Sequence, residues 1–202
     1  MEIEKYVGKT IDCPCGKKHS SEVETIVIRE NVIQEDLVAY LKSKGFKMLT
    51  VVCDKQTYQA AGQQVCVALD EACIAYKLHT FTEETVIPNE HFIGNLAMGL
   101  ALDSDLVLAV GSGTINDICR YVSAVAKIPY CVAGTAPSMD GYISGGSALI
   151  YNGCKLTFET RPPMAVFLDP EILAKAPMDM IASGVGDLLG KINAWQIGSC
   201  QI

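Results

Sequence analysis

The chain has 202 residues, 50% of them hydrophobic, and a formal charge of -7 from 16 basic and 23 acidic groups. That is enough apolar material for one full core with part of a second unit, and it excludes a disordered tail. Basic residues lie singly or in pairs such as Lys17-Lys18, so nothing offsets the repulsion of a phosphate backbone, and a nucleic-acid partner is not expected.

Met1, Glu2, Glu4 and Lys5 lead into no apolar core, so no secretory signal is expected. A reducing cytoplasm is then the expected setting, with the nine cysteines mostly thiols. Cys53, Cys66, Cys119 and Cys131 lie in apolar runs and are expected to act as small packing residues. In Cys13-Pro14-Cys15-Gly16-Lys17-Lys18-His19 the residue types suit a metal, but a complete zinc site takes about four ligands. A tight turn between two short strands is the favoured reading there.

From about residue 23, β-rich runs alternate with helix-period runs, the pattern of a parallel sheet covered by helices. Residues 23–28 read as a first strand. Ile33, Leu37, Tyr40 and Leu41 recur at helical spacing, with Asn31 as a candidate cap and Gly45 as a left-handed stop. Residues 48–53 form a second strand that ends at Asp54, and residues 72–79 a third. Residues 90–102 read as a helix; their apolar stretch is too short to span a bilayer and stops at Asp103-Ser104-Asp105, so no membrane contact is expected. Residues 106–110 are apolar throughout, as a central parallel strand buried on both faces should be. A helix follows, with Ile115, Ile118, Cys119, Val122 and Val125 on one side, and Pro129 precedes a strand over residues 130–133. Asn152-Gly153 joins two strand-like runs in a hairpin. Residues 164–168 form a further strand, Asp169-Pro170 opens a short helix, and Pro177 is expected at the first position of another. The pattern divides into an extension or hairpin over 1–22, a Rossmann-like α/β unit over 23–169 with an inserted hairpin, and the start of an all-α unit over 170–202.

The strongest local signal is Gly111-Ser112-Gly113-Thr114-Ile115-Asn116-Asp117, where a buried strand hands over to an amphipathic helix. Two glycines let the backbone approach a diphosphate, and the helix's free N–H groups and positive dipole end face its charge. It lacks the third glycine of the common dinucleotide fingerprint, so a turn that merely changes direction stays open. Asp54, at the end of the second strand, is suited to hold the hydroxyls of an adenosine ribose, which favours NAD over NADP, or to cap a helix. The run Thr135-Ala136-Pro137-Ser138-Met139-Asp140-Gly141-Tyr142 falls at the carboxyl edge of the sheet, where open α/β sheets bind ligands; by itself it reads equally as a polar turn. Asp187 and Lys191 are spaced for a surface ion pair.

The glycine run, the 135–142 run and Gly184-Val185-Gly186-Asp187-Leu188-Leu189-Gly190-Lys191 together resemble the sn-glycerol-1-phosphate dehydrogenases, in the superfamily that also holds dehydroquinate synthase and iron-containing alcohol dehydrogenases. The order and spacing agree over nearly the whole chain, and Cys13-x-Cys15-Gly16-Lys17-x-His19 is similar to bacterial members. The resemblance implies that Gly111, Ser112, Gly113, Thr114 and Ile115 hold the diphosphate of NAD or NADP. It implies that Thr135, Ala136, Pro137, Ser138 and Ser144 contact the nicotinamide half, that Asp140 binds substrate, and that Asp187 binds both substrate and one divalent metal, zinc or nickel. The implied reaction is hydride transfer between dihydroxyacetone phosphate and sn-glycerol 1-phosphate, with the metal as electrophile. The family's two further metal ligands are histidines on later helices, whereas His19, His79 and His91 all precede the glycine run. A truncated chain that binds NAD without turnover is therefore expected. Its apolar residues Ile181, Leu188, Leu189 and Ile192 would lack packing partners, favouring homo-oligomers. Glycerol or another alcohol as substrate, cyclic-phosphate synthase chemistry, and a non-catalytic nucleotide-binding module are the alternative readings.

Overall fold

Leu49, Val51 and Cys53 alternate with Thr50 and Val52, and Leu106, Leu108 and Val110 alternate with Val107 and Ala109; every one of these side chains is buried. Successive strand residues point to opposite faces, so a run buried at every position needs cover on both sides. The computed structural model describes residues 6–199, with side chains as far as residue 192, and it supplies that cover. Residues 1–5, read above as lacking a secretory signal, lie outside the described residues.

The strands are β1 (Thr10–Asp12), β2 (Lys18–Ser20), β3 (Thr25–Ile28), β4 (Met48–Asp54), β5 (Ala75–Phe81), β6 (Leu106–Gly111), β7 (Tyr130–Gly134), β8 (Gly146–Tyr151), β9 (Cys154–Glu159) and β10 (Ala165–Leu168). Six of them form one sheet in the order β3-β10-β7-β6-β4-β5, and all five pairings are parallel. One face is covered by the π-helical turn Ile33–Leu37 running into α1 (Val38–Lys44), and by α2 (Lys55–Thr57), the π-turn Tyr58–Gly62 and α3 (Gln63–Glu71). Ile33, Leu37, Leu41, Val65 and Leu69 pack there with Leu49, Val51, Leu106 and Leu108. On the opposite face lie α4 (Glu90–Gly99) and α5 (Gly113–Ala126), where Phe92, Leu96, Ile115, Ile118 and Val122 pack with Val52, Val107, Ala109 and Val132. Each such valine, leucine, isoleucine or phenylalanine side chain contributes about 1.5–3 kcal/mol on full burial. α6 (Pro170–Ala174) and α7 (Met178–Ser199) follow the sheet. Among the described residues no helix is long and apolar enough to cross a membrane.

Several local expectations are corrected. Asn31 does not cap a helix with its side chain: it is left-handed (φ 59°), and its N–H donates to Asp169 Oδ2 at 2.9 Å. The third strand begins at Ala75, not residue 72, because α3 ends in a left-handed residue, Cys73 (φ 56°). The N–H of Ile74 reaches the Leu69 carbonyl and that of Cys73 the Asp70 carbonyl, a Schellman-type stop made without glycine. α4 ends at Gly99, not residue 102, since the chain turns extended at Leu100 and the Ala101 N–H bonds the Thr50 hydroxyl at 3.3 Å. Pro177 lies just before α7 rather than at its first position, and its carbonyl accepts from the N–H groups of Met180 and Ile181. The Asn152-Gly153 hairpin has both turn residues at positive φ (50° and 75°), as a type I′ connection of β8 to β9 requires.

Candidate functional site

The glycine run sits between β6 and α5. Ser112 is extended and occupies the N-cap, yet its side chain makes no capping bond. The first backbone bond of α5 runs from Asn116 N–H to Ser112 O at 3.0 Å. The N–H groups of Gly113, Thr114 and Ile115 are therefore the unanswered donors every helix start leaves. By contrast, Asp54, Asn89 and Asp169 cap α2, α4 and α6 with their side chains. Gly111 is needed for a steric reason, because a Cβ there would stand 2.6 Å from Ile115 Cβ. Asn116, fully buried in the first turn, has no partner for either amide atom, a cost of about 1–3 kcal/mol for such a group.

The 135–142 loop is bound to this helix start. Thr135 N–H donates to Gly111 O at 3.2 Å, and the buried Tyr142 hydroxyl donates to Ala136 O at 2.7 Å and to Gly111 O at 3.4 Å. Behind the loop lies Arg120, 1% exposed. Its guanidinium donates to Tyr130 Oη (2.7 Å), Asp117 Oδ1 (2.7 Å), Gly146 O (2.6 Å), Gly141 O (2.8 Å) and Tyr142 O (3.3 Å). Burial pushes the Asp117 carboxyl up to about 6 against the opposing pull of Arg120. Sequence reasoning missed Arg120, Asn116 and the anchoring role of Tyr142. The available signal was the i, i+3 spacing of Asp117 and Arg120 beside an otherwise apolar helix face.

α7 closes the other side. Gly184 is buried against the loop, where an added Cβ would overlap the Pro137 carbonyl oxygen. One turn on, Asp187 Oδ2 accepts the Asp140 N–H at 2.9 Å, and that bond leads the causes holding the Asp187 carboxyl below its ordinary value. Lys191 pairs with Asp140 Oδ2 at 3.2 Å, so its ion pair is to the loop and not the i, i+4 pair with Asp187. A cleft of about 290 Å³ lies between loop and helix, lined by Pro137, Met139, Tyr142, Leu173, Ile181 and Leu188. Val185, Leu188, Leu189 and Ile192 are exposed, while Ile181 is half-buried.

Asp54 stands at the end of β4, two residues beyond the Val52–Ala109 pair and so level with Gly111. Its carboxylate takes the Thr57 N–H at 2.7 Å while its own N–H donates to Thr57 Oγ1 at 2.9 Å, the capping arrangement left open above. Ser138 stays in the loop, half-buried. Ser144 is exposed, and its hydroxyl closes its own turn by accepting from Gly146 N–H at 3.0 Å. The histidines are elsewhere: His19 on β2, His79 on β5, and His91 on α4 facing Glu83 at 3.4 Å. Among the described residues, no group of three or more potential metal ligands includes Asp187.

The expected packing cysteines Cys53, Cys66, Cys119 and Cys131 are all buried thiols, and burial pushes that of Cys131 up to about 12. The sequence model of the iron-containing alcohol dehydrogenase family matches residues 27–177, a span holding all of the sheet but the first two residues of β3, together with the glycine run and the 135–142 loop. The chain belongs to that family. It is 36% identical over 203 residues to a glycerol-1-phosphate dehydrogenase [NAD(P)+] of Bacillus licheniformis, a match covering 97% of this chain and 51% of that protein. To the protein of the same name from Halalkalibacterium halodurans it is 38% identical, over 92% of this chain and 48% of that one. It thus spans about half the length of these curated relatives. Among solved structures, sulfoacetaldehyde reductase from Bifidobacterium kashiwanohense in complex with NAD+ superposes with a TM-score of 0.73 at 17% identity, over 85% of this chain and 50% of that one. Glycerol dehydrogenase from Schizosaccharomyces pombe gives 0.71 at 18% identity, over 83% and 42%. At these identities the likeness establishes the fold.

Proposed function

We propose that this chain carries the cofactor half of an NAD(P)-dependent dehydrogenase that interconverts dihydroxyacetone phosphate and sn-glycerol 1-phosphate. The uncapped start of α5 at the end of buried β6 carries the reading, in a family member whose relatives bear that name. The donor set fits a dinucleotide: amides of Gly113, Thr114 and Ile115 for the diphosphate, Asp54 for the ribose, and Thr135, Ala136, Pro137, Ser138 and Ser144 toward the nicotinamide. When bound, the nicotinamide supplies or accepts the hydride. This chain's residues do the holding: Arg120 and Tyr142 fix the loop backbone, and Asp140 and Asp187, linked through the Asp140 N–H, present carboxylates for the polar end of the substrate.

A metal is a different matter. Asp187 offers one hard oxygen donor, and one carboxylate does not complete a divalent site. In this reading it is one ligand of a zinc or nickel site to which the described residues add no histidine. The exposed apolar residues of α7 support self-association, checked by light scattering.

The test is calorimetric titration of the chain with NAD and NADP. Saturable binding is expected, and Gly113→Val, whose Cβ would meet the flexible Met139 side chain, should abolish it while the fold persists in the melt. No binding, or equal binding by the variant, overturns the proposal. Glycerol 1-phosphate and glycerol are then titrated into the NAD complex; heat from glycerol alone favours an unphosphorylated substrate.

A further inference from the structure

The hairpin of β1 and β2 has no part in the cofactor reading. Its strands are three residues each, with Ile11 partly buried and the other residues exposed, and among the described residues they pair only with each other. A two-stranded hairpin without a core is marginal in water and needs another source of order.

The turn supplies one. Gly16 is left-handed (φ 82°), the Gly16 N–H bonds Cys13 O at 2.9 Å, and the Cys13 N–H bonds Lys17 O at 3.0 Å. This tight turn brings Cys13 and Cys15 to the same side, and the antiparallel register brings His19 back opposite Ile11. The ligand atoms of Cys13, Cys15 and His19 all lie within 4.8 Å of one another, the only such group of three among the described residues. Cys15 Sγ and His19 Nε2 are 3.2 Å apart, and the Cys15 N–H donates to Cys13 Sγ at 3.5 Å, a contact that favours a thiolate.

We propose that Cys13, Cys15 and His19 bind a thiophilic divalent cation, zinc being the natural fit, at a site separate from the cofactor cleft. With metal–sulfur and metal–nitrogen bonds of about 2.3 and 2.0 Å, tetrahedral ligands lie about 3.5–3.8 Å apart, a spacing these three donors reach with small side-chain rotations. Two thiolates and an imidazole select zinc over magnesium or calcium. Two thiolates also neutralise the ion's charge. Asp12, the acidic residue beside Cys13, faces Lys18 at 3.7 Å, and among the described residues the cluster has no fourth protein ligand, so a water or an added small ligand takes the fourth position. The metal clips turn to strand and so orders a hairpin that has no core.

The test uses the purified chain, held reduced and stripped with chelator, then titrated with Co²⁺ and afterwards Zn²⁺. One Co²⁺ per chain is expected, with sulfur-to-cobalt charge-transfer absorption and tetrahedral d–d bands that one equivalent of Zn²⁺ bleaches. Cys15→Ser should abolish the charge-transfer signal. His19→Ala should weaken binding by more than the roughly 10–100-fold that loss of an outer-shell partner costs. Asp187→Asn should leave both unchanged, which separates this site from any ion at α7. Melting of each variant in chelator checks that the fold persists, and zinc X-ray absorption on the unsubstituted chain should return two sulfurs per ion. Absence of the charge-transfer band, its survival in Cys13→Ser/Cys15→Ser, or a shell of oxygen and nitrogen alone overturns the proposal.

Discussion

Three glycines of α7 should respond to the same substitution with opposite signs. In an exposed helix interior, Gly→Ala gains about 0.8–1 kcal/mol through propensity. Gly186 and Gly190 have nothing within 4 Å of an added Cβ, so Gly186→Ala and Gly190→Ala should realise that gain and raise Tm by about 2–4 °C each for a chain of this size. Gly184 differs, because its added Cβ would overlap the Pro137 carbonyl oxygen and stand 3.0 Å from the carbonyl carbon. The obstacle is backbone, and no rotamer relieves it. Restoring ordinary contact requires α7 to retreat by about 1.5 Å, which lengthens the 2.9 Å bond from Asp140 N–H to Asp187 beyond hydrogen-bond range. Overpacking of this kind costs about 1–3 kcal/mol, so Gly184→Ala should lower Tm despite its better propensity. Thermal melts of the three variants measure the sign. Carbon-detected titration of Asp187 measures the cause, since its carboxyl should move back up toward the ordinary aspartate range when the Asp140 N–H is withdrawn. A Gly184→Ala protein with a raised Tm and an unmoved Asp187 titration would refute the close packing of helix on loop.

Arg120→Met should destabilise by about 3 kcal/mol in denaturant unfolding, because it strands the partly buried Asp117 carboxylate and three backbone carbonyls. Arg120→Lys should rescue little of this, as one ammonium cannot span the guanidinium's contacts. Asp54→Ala should cost about 1 kcal/mol through loss of the cap, whereas Asp54→Asn keeps a capping oxygen and should be near neutral in stability. If Asp54 holds the ribose, Asp54→Asn should still shift the ratio of NAD to NADP affinity, and an unchanged ratio refutes that role. Burial and Lys77 hold the His79 imidazole below its ordinary value of 6.5. The unfolded chain therefore binds the proton first as pH falls, and stability present above pH 6.5 should decline progressively below it. His79→Phe should flatten this part of the stability profile relative to the unsubstituted chain, and parallel profiles would count against a half-buried neutral imidazole.

Much of the frame was legible because burial and chemistry coincide in the same residues. Leu106 to Val110 are apolar at every position, which a strand covered on both faces demands, and Gly111 and Gly113 mark the change to a helix. Gly45 and Asn152-Gly153 were readable as punctuation because left-handed backbone favours those residue types. Where the chain turns left-handed at Cys73 or Asn31 instead, the elements nearby were misjudged, since long-range contacts and helix-end bonds supply what a glycine signals locally. The tight turn between two short strands at Cys13 to His19 was legible as well, whereas the closeness of its three ligand atoms was not, because that depends on the register of the pairing.

By itself, then, the order of residues determined the alternation of strands and helices, the buried centre of the sheet and the position of the glycine turn that opens α5, all of which depend on near neighbours and on hydrophobic period. Only the tertiary structure decided which glycine of α7 must stay small, that Arg120 ties α5 to a loop some 20 residues onward, and that Lys191 answers Asp140 instead of Asp187. These depend on distances between segments far apart in the chain, and packing of the sheet and its helices is what fixes those distances.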